Sequence, residues 1–156
     1  MKILYVLLAT SLIMSLSAEE LKIKANSFTS DQNTGISVFQ GNVKIKKTND
    51  ELNASKVTIF VNKDKKPTKF IADGNVSFFV ATKDGAKYRG KAGKAIYFPN
   101  KKAYYFYDNV HLKQLNDTKE ILGDEVVLRT TDGKAYAKGF KKEPVIMIFN
   151  IDEDKK

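Results

Sequence analysis

Apolar and polar residues alternate with period two along most of this chain. The pattern is clearest in "NVKIKK" (42–47), "SKVTIFV" (55–61), "NVSFFVA" (75–81), "NVHLKQL" (109–115) and "EVVLRT" (125–130). Val, Ile, Phe, Tyr and Thr dominate these runs, and alternation over so few residues is the mark of a half-buried β-strand. Further runs at 21–25, 36–40, 68–72, 95–98, 103–107, 134–139 and 145–151 read the same way. About a dozen strands of ordinary length result. Turn clusters lie between them at 48–50, 62–66, 83–85, 99–101 and 131–133, and helix signals are almost absent. The expected fold is all-β in a single domain.

A short phrase recurs inside this pattern. Gly41-Asn42-Val43, Gly74-Asn75-Val76 and Asp108-Asn109-Val110 stand at almost equal intervals. Gly and Asn adopt positive φ at little cost, so each phrase predicts a turn between two strands. A second marker accompanies it: Ala25-Asn26-Ser27-Phe28, Ala54-Ser55-Lys56-Val57, Ala92-Gly93-Lys94-Ala95 and Gly123-Asp124-Glu125-Val126. Together the markers define one antiparallel strand–turn–strand unit copied along the chain. The last copy ends at Gly139 without the Asn-Val, as a terminal repeat would.

Alternation also assigns faces. Val57 and Ile59 share a side, opposite Lys56 and Thr58, and Val43 and Ile45 lie opposite Lys44 and Lys46. The same offsets select Ala95 and Tyr97, then Val126 and Leu128. Stacked copies therefore build a continuous apolar wall backed by a Lys-rich outer face. By itself such a wall is a core.

The first residues follow a different rule. Met1-Lys2, an apolar run to Leu16 and small residues at 15–18 form a signal segment, shorter than the ~20 residues of a membrane-spanning helix. We expect residues 1–18 to be removed and 19–156 to form the domain; an uncleaved membrane anchor is the alternative. Removal lowers the formal charge from +9 to +8. An exported basic domain meets anionic lipid, phosphorylated glycolipid or acidic polysaccharide. Nucleic acid is disfavoured by the signal segment and by Lys residues spread along the chain rather than grouped. With no Cys there is neither disulfide nor lipid-attachment thiol.

Catalytic patterns are missing. The lone His111 has no Cys or second His for a zinc site, and no nucleophile elbow accompanies it. Gly85 to Ala92 has P-loop spacing, but Ala92 stands where the motif needs Ser or Thr, so a Gly-containing β-turn is expected. No enzyme, cofactor or metal is anticipated. Glu51-Leu52-Asn53-Ala54-Ser55 offers Asn53 as a candidate glycosylation site. The apolar stretch 145–149 lies between Lys141-Lys142-Glu143-Pro144 and an acidic end; such flanks guard a strand against uncontrolled pairing. It reads either as the last core strand or as an edge for a partner.

The repeated phrase, as "FQGNVKI" and "ADGNVSF" behind a signal segment in a small basic chain, resembles the OstA-like family over residues 20–140. The resemblance weakens where Asp108 replaces Gly and after Gly139. It implies a single twisted, slightly open β-jellyroll that carries lipopolysaccharide through the periplasm. Lipid A acyl chains would lie in a groove lined by Leu21, Ile23, Val57, Ile59, Phe70, Val76, Phe78, Tyr97, Val126 and Leu128. Lys residues near the open edge would meet lipid phosphates. It further implies head-to-tail homo-oligomers, joined through an edge containing Val145, Met147 and Phe149, between inner-membrane LptC-like and outer-membrane LptD-like partners of the same fold. A membrane-anchored LptC-like component, a purely structural β-repeat protein and a secreted polyanion-binding module are the rival readings.

Overall fold

The computed structural model describes residues 20–139 and 143–149. Residues 1–19, 140–142 and 150–156, including the expected signal segment and the charged end, lie outside the described residues. Ten strands follow in order: β1 (Leu21–Lys24), β2 (Ser27–Asp31), β3 (Ile36–Lys47), β4 (Asp50–Val61), β5 (Pro67–Ala81), β6 (Lys87–Phe98), β7 (Ala103–Gln114), β8 (Lys119–Arg129), β9 (Ala135–Lys138) and β10 (Ile146–Phe149). All pairings are antiparallel and join one sheet, whose main path runs β1-β3-β4-β5-β6-β7-β8-β10 without closing into a barrel.

The recurring Gly-Asn step lies within strands rather than between them. Gly41-Asn42, Gly74-Asn75 and Asp108-Asn109 all have positive φ, yet β3, β5 and β7 run through them unbroken. Opposite each pair the ladder skips: between Gln40 and Val43, between Asp73 and Val76, between Tyr107 and Val110. Two residues on one strand oppose one on the next, which is a β-bulge, and a bulge bends its strand. The second sequence marker supplies the other side of the same bulges, with Ser55, Gly93 and Asp124 as the facing residues. The two signals read as separate landmarks are one line of bends across the sheet.

Side chains at the line are fitted pairwise. A Cβ on Gly74 would come within 3.0 Å of Ser55 Cβ. At β7, where Asp108 replaces Gly, the missing side chain is on the opposite strand: a Cβ on Gly93 would stand 2.8 Å from Asp108 Cβ. The two edge strands are interrupted at the same line. β1 and β2 pair with the two halves of β3, and β10 and β9 with the two halves of β8. The fold therefore amounts to eight bent strands.

Each strand contributes to two arms. The first arm holds β2, residues 36–40, 56–61, 67–73, 94–98, 103–107 and 125–129, and β9; the second holds β1, the other strand halves and β10. The arms fold face to face. Phe78 of the second stacks on Phe106 of the first at a centroid distance of 3.8 Å, although a flat sheet would hold them far apart. The core fills the crease, with Val43, Val57, Val76, Phe106, Val110, Leu112, Val126 and Leu128 all buried. The expected face assignments hold: Val57, Ile59, Ala95, Val126 and Leu128 are buried, while Lys56, Lys44 and Lys46 point outward and are exposed.

Several strand halves carried too little pattern to be read. The first halves of β4, β6 and β8 hold mostly charged, amide and glycine residues with few apolar ones, and β2 is exposed throughout, with Phe28 its one large apolar residue. Tertiary pairing overrides weak β-propensity there. Gly85 sits in the β5–β6 turn with φ +91° and residues 87–92 enter β6, as the β-turn reading of that stretch required. Because a left-handed backbone costs an ordinary L-residue about 1–2 kcal/mol, Gly74→Ala is expected to destabilise the domain by at least that much in urea unfolding. Asp108→Gly, which relieves the same strain, is expected to leave it as stable or more so.

Candidate functional site: the cleft between the arms

The inner wall is packed at one end and uncovered at the other. Toward β7 and β8 the arms meet, and Tyr104, Phe106, Val110, Leu112, Ile121, Val126 and Leu128 are all buried. Toward β1 and β2 the same rows continue without a facing layer, leaving Phe28 57% and Leu21 38% exposed. Between these regions lies a cleft of about 200 Å³ lined by Leu21, Ile45, Leu52, Pro67, Phe70, Val80, Tyr97, Pro99 and Tyr104, with Lys47, Asp50 and Glu51 at its margin. Phe78 reaches it from the core.

A ladder of aromatic rings connects cleft to core. Phe70 and Tyr97 lie 6.0 Å apart, Tyr97 stacks on Tyr104 at 4.4 Å, and Tyr104 lies parallel to Phe106 at 5.8 Å. Each such contact adds about 0.5–1.5 kcal/mol beyond area burial, which fixes the inner wall as a rigid surface. Cross-strand register sets it: Phe70 opposes Tyr97, and Tyr97 opposes Tyr104.

Two contacts tie the arms together beside the cleft. The Tyr104 hydroxyl donates to Asp50 Oδ2 at 3.1 Å, and the Lys83 amide donates to the Thr130 carbonyl at 2.9 Å. Asp50 also accepts from the Ala81 amide at 3.0 Å. Burial, followed by the Asp50 charge, raises the Tyr104 phenol well above its ordinary value. Tyr104 therefore remains a neutral donor at any physiological pH.

The residues expected in a groove divide into two sets. Leu21, Ile23, Phe70 and Tyr97 are partly or well exposed, and all but Ile23 line the cleft; Ile23 packs beside it on β1. Val57, Ile59, Val76, Val126 and Leu128 belong to the packed core, and Phe78 bridges core and cleft. Ile45, which alternation had placed on the inner face, Leu52, Val80 and Tyr104 complete the lining. Parity along the strands identifies Ile45, Val80 and Tyr104 as inward, but Leu52 lies in a half of β4 too polar to read as a strand.

At the other edge, Val145 packs against the core, while Met147 and Phe149 on β10 are 47% and 54% exposed. The strand is bonded to β8 on one side and, among the described residues, to nothing on the other. It is an edge. Asn53 is exposed on the outer face of β4, 3.4 Å from the Ser77 hydroxyl. His111 is also on the outer face, with Nε2 3.0 Å from Glu120 Oε2. No cluster of His, Asp or Glu among the described residues is placed to hold a metal ion.

An unclosed antiparallel sheet folded over an apolar inner wall, with a cleft where the wall is uncovered, is a β-jellyroll of the OstA-like, lipopolysaccharide-transport class. The chain belongs to the family described as LptA/(LptD N-terminal domain) LPS transport protein, whose model matches residues 22–134. The same fold occurs in the crystal structure of LptH, the LptA homologous periplasmic component of the lipopolysaccharide transport device of Pseudomonas aeruginosa. The two agree with a TM-score of 0.75 at 16% identity, over 85% of this chain and 96% of that one. No curated relative matches the chain.

The Tyr104 contact has a measurable pH signature. Its phenol is raised in the folded state, so its contribution is complete below the unfolded value near pH 10. Above that pH the unfolded chain ionises first, and stability falls as pH rises further. Tyr104→Phe is expected to cost about 1–3 kcal/mol at neutral pH. It should also flatten the alkaline decline in stability, leaving the smaller part due to Tyr88 and Tyr107, whose phenols are raised by burial too.

Proposed function

We propose that this protein carries lipopolysaccharide through the periplasm, shielding lipid A acyl chains between its two arms without altering them chemically. The observation that carries the reading is the uncovered end of the inner wall, where Leu21, Phe70 and Tyr97 border an apolar cleft in a member of a lipopolysaccharide-transport family. Each acyl CH₂ removed from water gains about 0.8 kcal/mol, so a lipid with several long chains needs a continuous apolar surface throughout its passage. The cleft is smaller than the roughly 300 Å³ at which sites for whole small molecules begin, so loading requires the arms to part further. Leu21, Ile23, Phe70 and Tyr97 make first contact; Phe78, Ile59, Val57, Val76, Val126 and Leu128 back them and are reached as the arms open.

Export through the 1–18 signal segment places the carrier in the periplasm, the compartment of the structurally similar LptH. Its partners are the inner-membrane LptC-like and outer-membrane LptD-like proteins and further copies of itself. Both sheet edges support this: among the described residues β1 and β2 are unpaired on one side of the sheet and β9 and β10 on the other, and the apolar inner wall reaches both through Leu21, Phe28, Met147 and Phe149. Strand addition between unlike edges extends the wall from one molecule to the next and nothing closes the series. Asn53 is retained as a glycosylation site on the outer face.

A photoreactive residue at Phe70 or Tyr97 is expected to cross-link lipopolysaccharide, and one at outward Lys56 is not. Equal labelling at both, or labelling at neither, would overturn the carrier reading. For assembly, light scattering should show growth from monomer with rising concentration. Deleting residues 145–156 should hold the protein monomeric while the Tyr97 cross-link persists.

A further inference from the structure

The outer face of the second arm carries a charge distribution that the fold does not need. On β6, Lys87, Arg89 and Lys91 project outward at alternate positions, about 6–7 Å apart along the strand. Arg89 lies directly opposite Lys113 of β7, and Lys91 opposite His111. Toward the β1 edge, Lys22 opposes Lys46 and Lys24 opposes Lys44. Like charges placed directly across a ladder destabilise it. Among the described residues, the carboxylates that pair with this face are Glu51, 3.9 Å from Lys46, and Glu120, between His111 and Lys113. The Glu120 carboxyl is held below its ordinary value by the His111 hydrogen bond, with the His111 and Lys113 charges adding to it. No carboxylate among the described residues lies within ion-pairing distance of Lys87, Arg89 or Lys91.

Lys46, Lys87, Arg89, Lys91 and Lys113 line a broad hollow of about 750 Å³. Its floor holds Phe79, with the Arg89 guanidinium 5.8 Å from the ring, and its walls include Asn53, Ser77, Thr48 and Asn49. Cations for phosphate or carboxylate, amides and hydroxyls for sugar hydroxyls, and an aromatic face for a sugar ring together fit an anionic saccharide. The hollow also adjoins the cleft. Lys47, Asp50 and Tyr97 border both the apolar cleft and a second hollow at its mouth; Thr48, Asn49 and Ala81 border both that mouth and the basic hollow. The cleft, its mouth and the basic hollow are therefore neighbours around the β3–β4 turn.

We infer that this face binds the phosphorylated sugar head of the same lipid whose acyl chains occupy the cleft, so that one amphiphile straddles the second arm. The inference rests on the carrier reading for the identity of the lipid. The surface itself is tested without acyl chains. Isothermal titration is run with the water-soluble phosphorylated oligosaccharide left after complete deacylation of lipopolysaccharide. Its dephosphorylated form and a single-stranded DNA of equal charge serve as comparisons. The wild-type protein is expected to bind the phosphorylated oligosaccharide, more weakly as salt rises, and to prefer it to both comparisons. Arg89→Ala/Lys91→Ala should weaken that binding at least about tenfold, whereas Lys56→Ala/Lys69→Ala on the first arm should change it less than about twofold.

Both doubles alter outward side chains, so thermal unfolding should match wild type and exclude misfolding. The lipid cross-link at Tyr97 should survive in Arg89→Ala/Lys91→Ala, which separates the head surface from the cleft. Unchanged oligosaccharide affinity in that variant would overturn the inference, as would equally tight DNA binding lost through the same substitutions. Loss of oligosaccharide binding in the variant, with no Tyr97 cross-link in any protein, would support the basic surface while removing the carrier reading.

Discussion

Everything in this fold depends on the line of β-bulges that crosses the sheet. Without it, eight long antiparallel strands would form a twisted sheet with one apolar face open to water. A pair of left-handed residues on every second strand, set against one residue on its neighbour, bends the sheet onto itself. A single sheet thereby supplies both layers of its own core. The fitting at the line is tight, as the Gly74–Ser55 and Gly93–Asp108 approaches show. Glycine and its partner exchange places between the two approaches: Gly74 of β5 faces Ser55 of β4, whereas Gly93 of β6 faces Asp108 of β7, and each approach has room for one side chain.

A folded sheet need not fold evenly. The layers meet through Phe78 and Phe106 and through the Tyr104–Asp50 hydrogen bond, then diverge toward β1 and β2. The inner wall is the same apolar rows throughout, so core and cleft differ in what lies opposite rather than in composition. This explains why residues at equivalent repeat positions have different surroundings: Leu128 is fully buried, and Tyr97, two strands away in the same row, borders the cleft. An open sheet also retains two edges. Here the edge strands end in exposed apolar residues, which an isolated domain gains nothing by keeping.

The pattern of alternate residues determined a great deal. It identified an all-β domain, the inward parity of Val57, Ile59, Tyr97, Val126 and Leu128, and, through the Gly-Asn-Val phrases, the period of the fold. These are local properties: strand side chains alternate by geometry, and left-handed backbone selects Gly and Asn wherever it occurs. What the phrase does was decided by the tertiary structure. The same φ values serve a chain reversal or a bulge, and only pairing with Ser55, Gly93 and Asp124 across the ladder distinguishes them. Polar halves such as residues 50–53 and 87–91 became strands because neighbours hydrogen-bond them, which no propensity records. Lysines that look dispersed along the chain converge as well: Lys44, Lys87, Lys91 and Lys113 share one face because antiparallel register brings distant strands side by side. Which inward residues are core and which border a cleft follows from where the two arms part, a distance between layers that no single strand encodes.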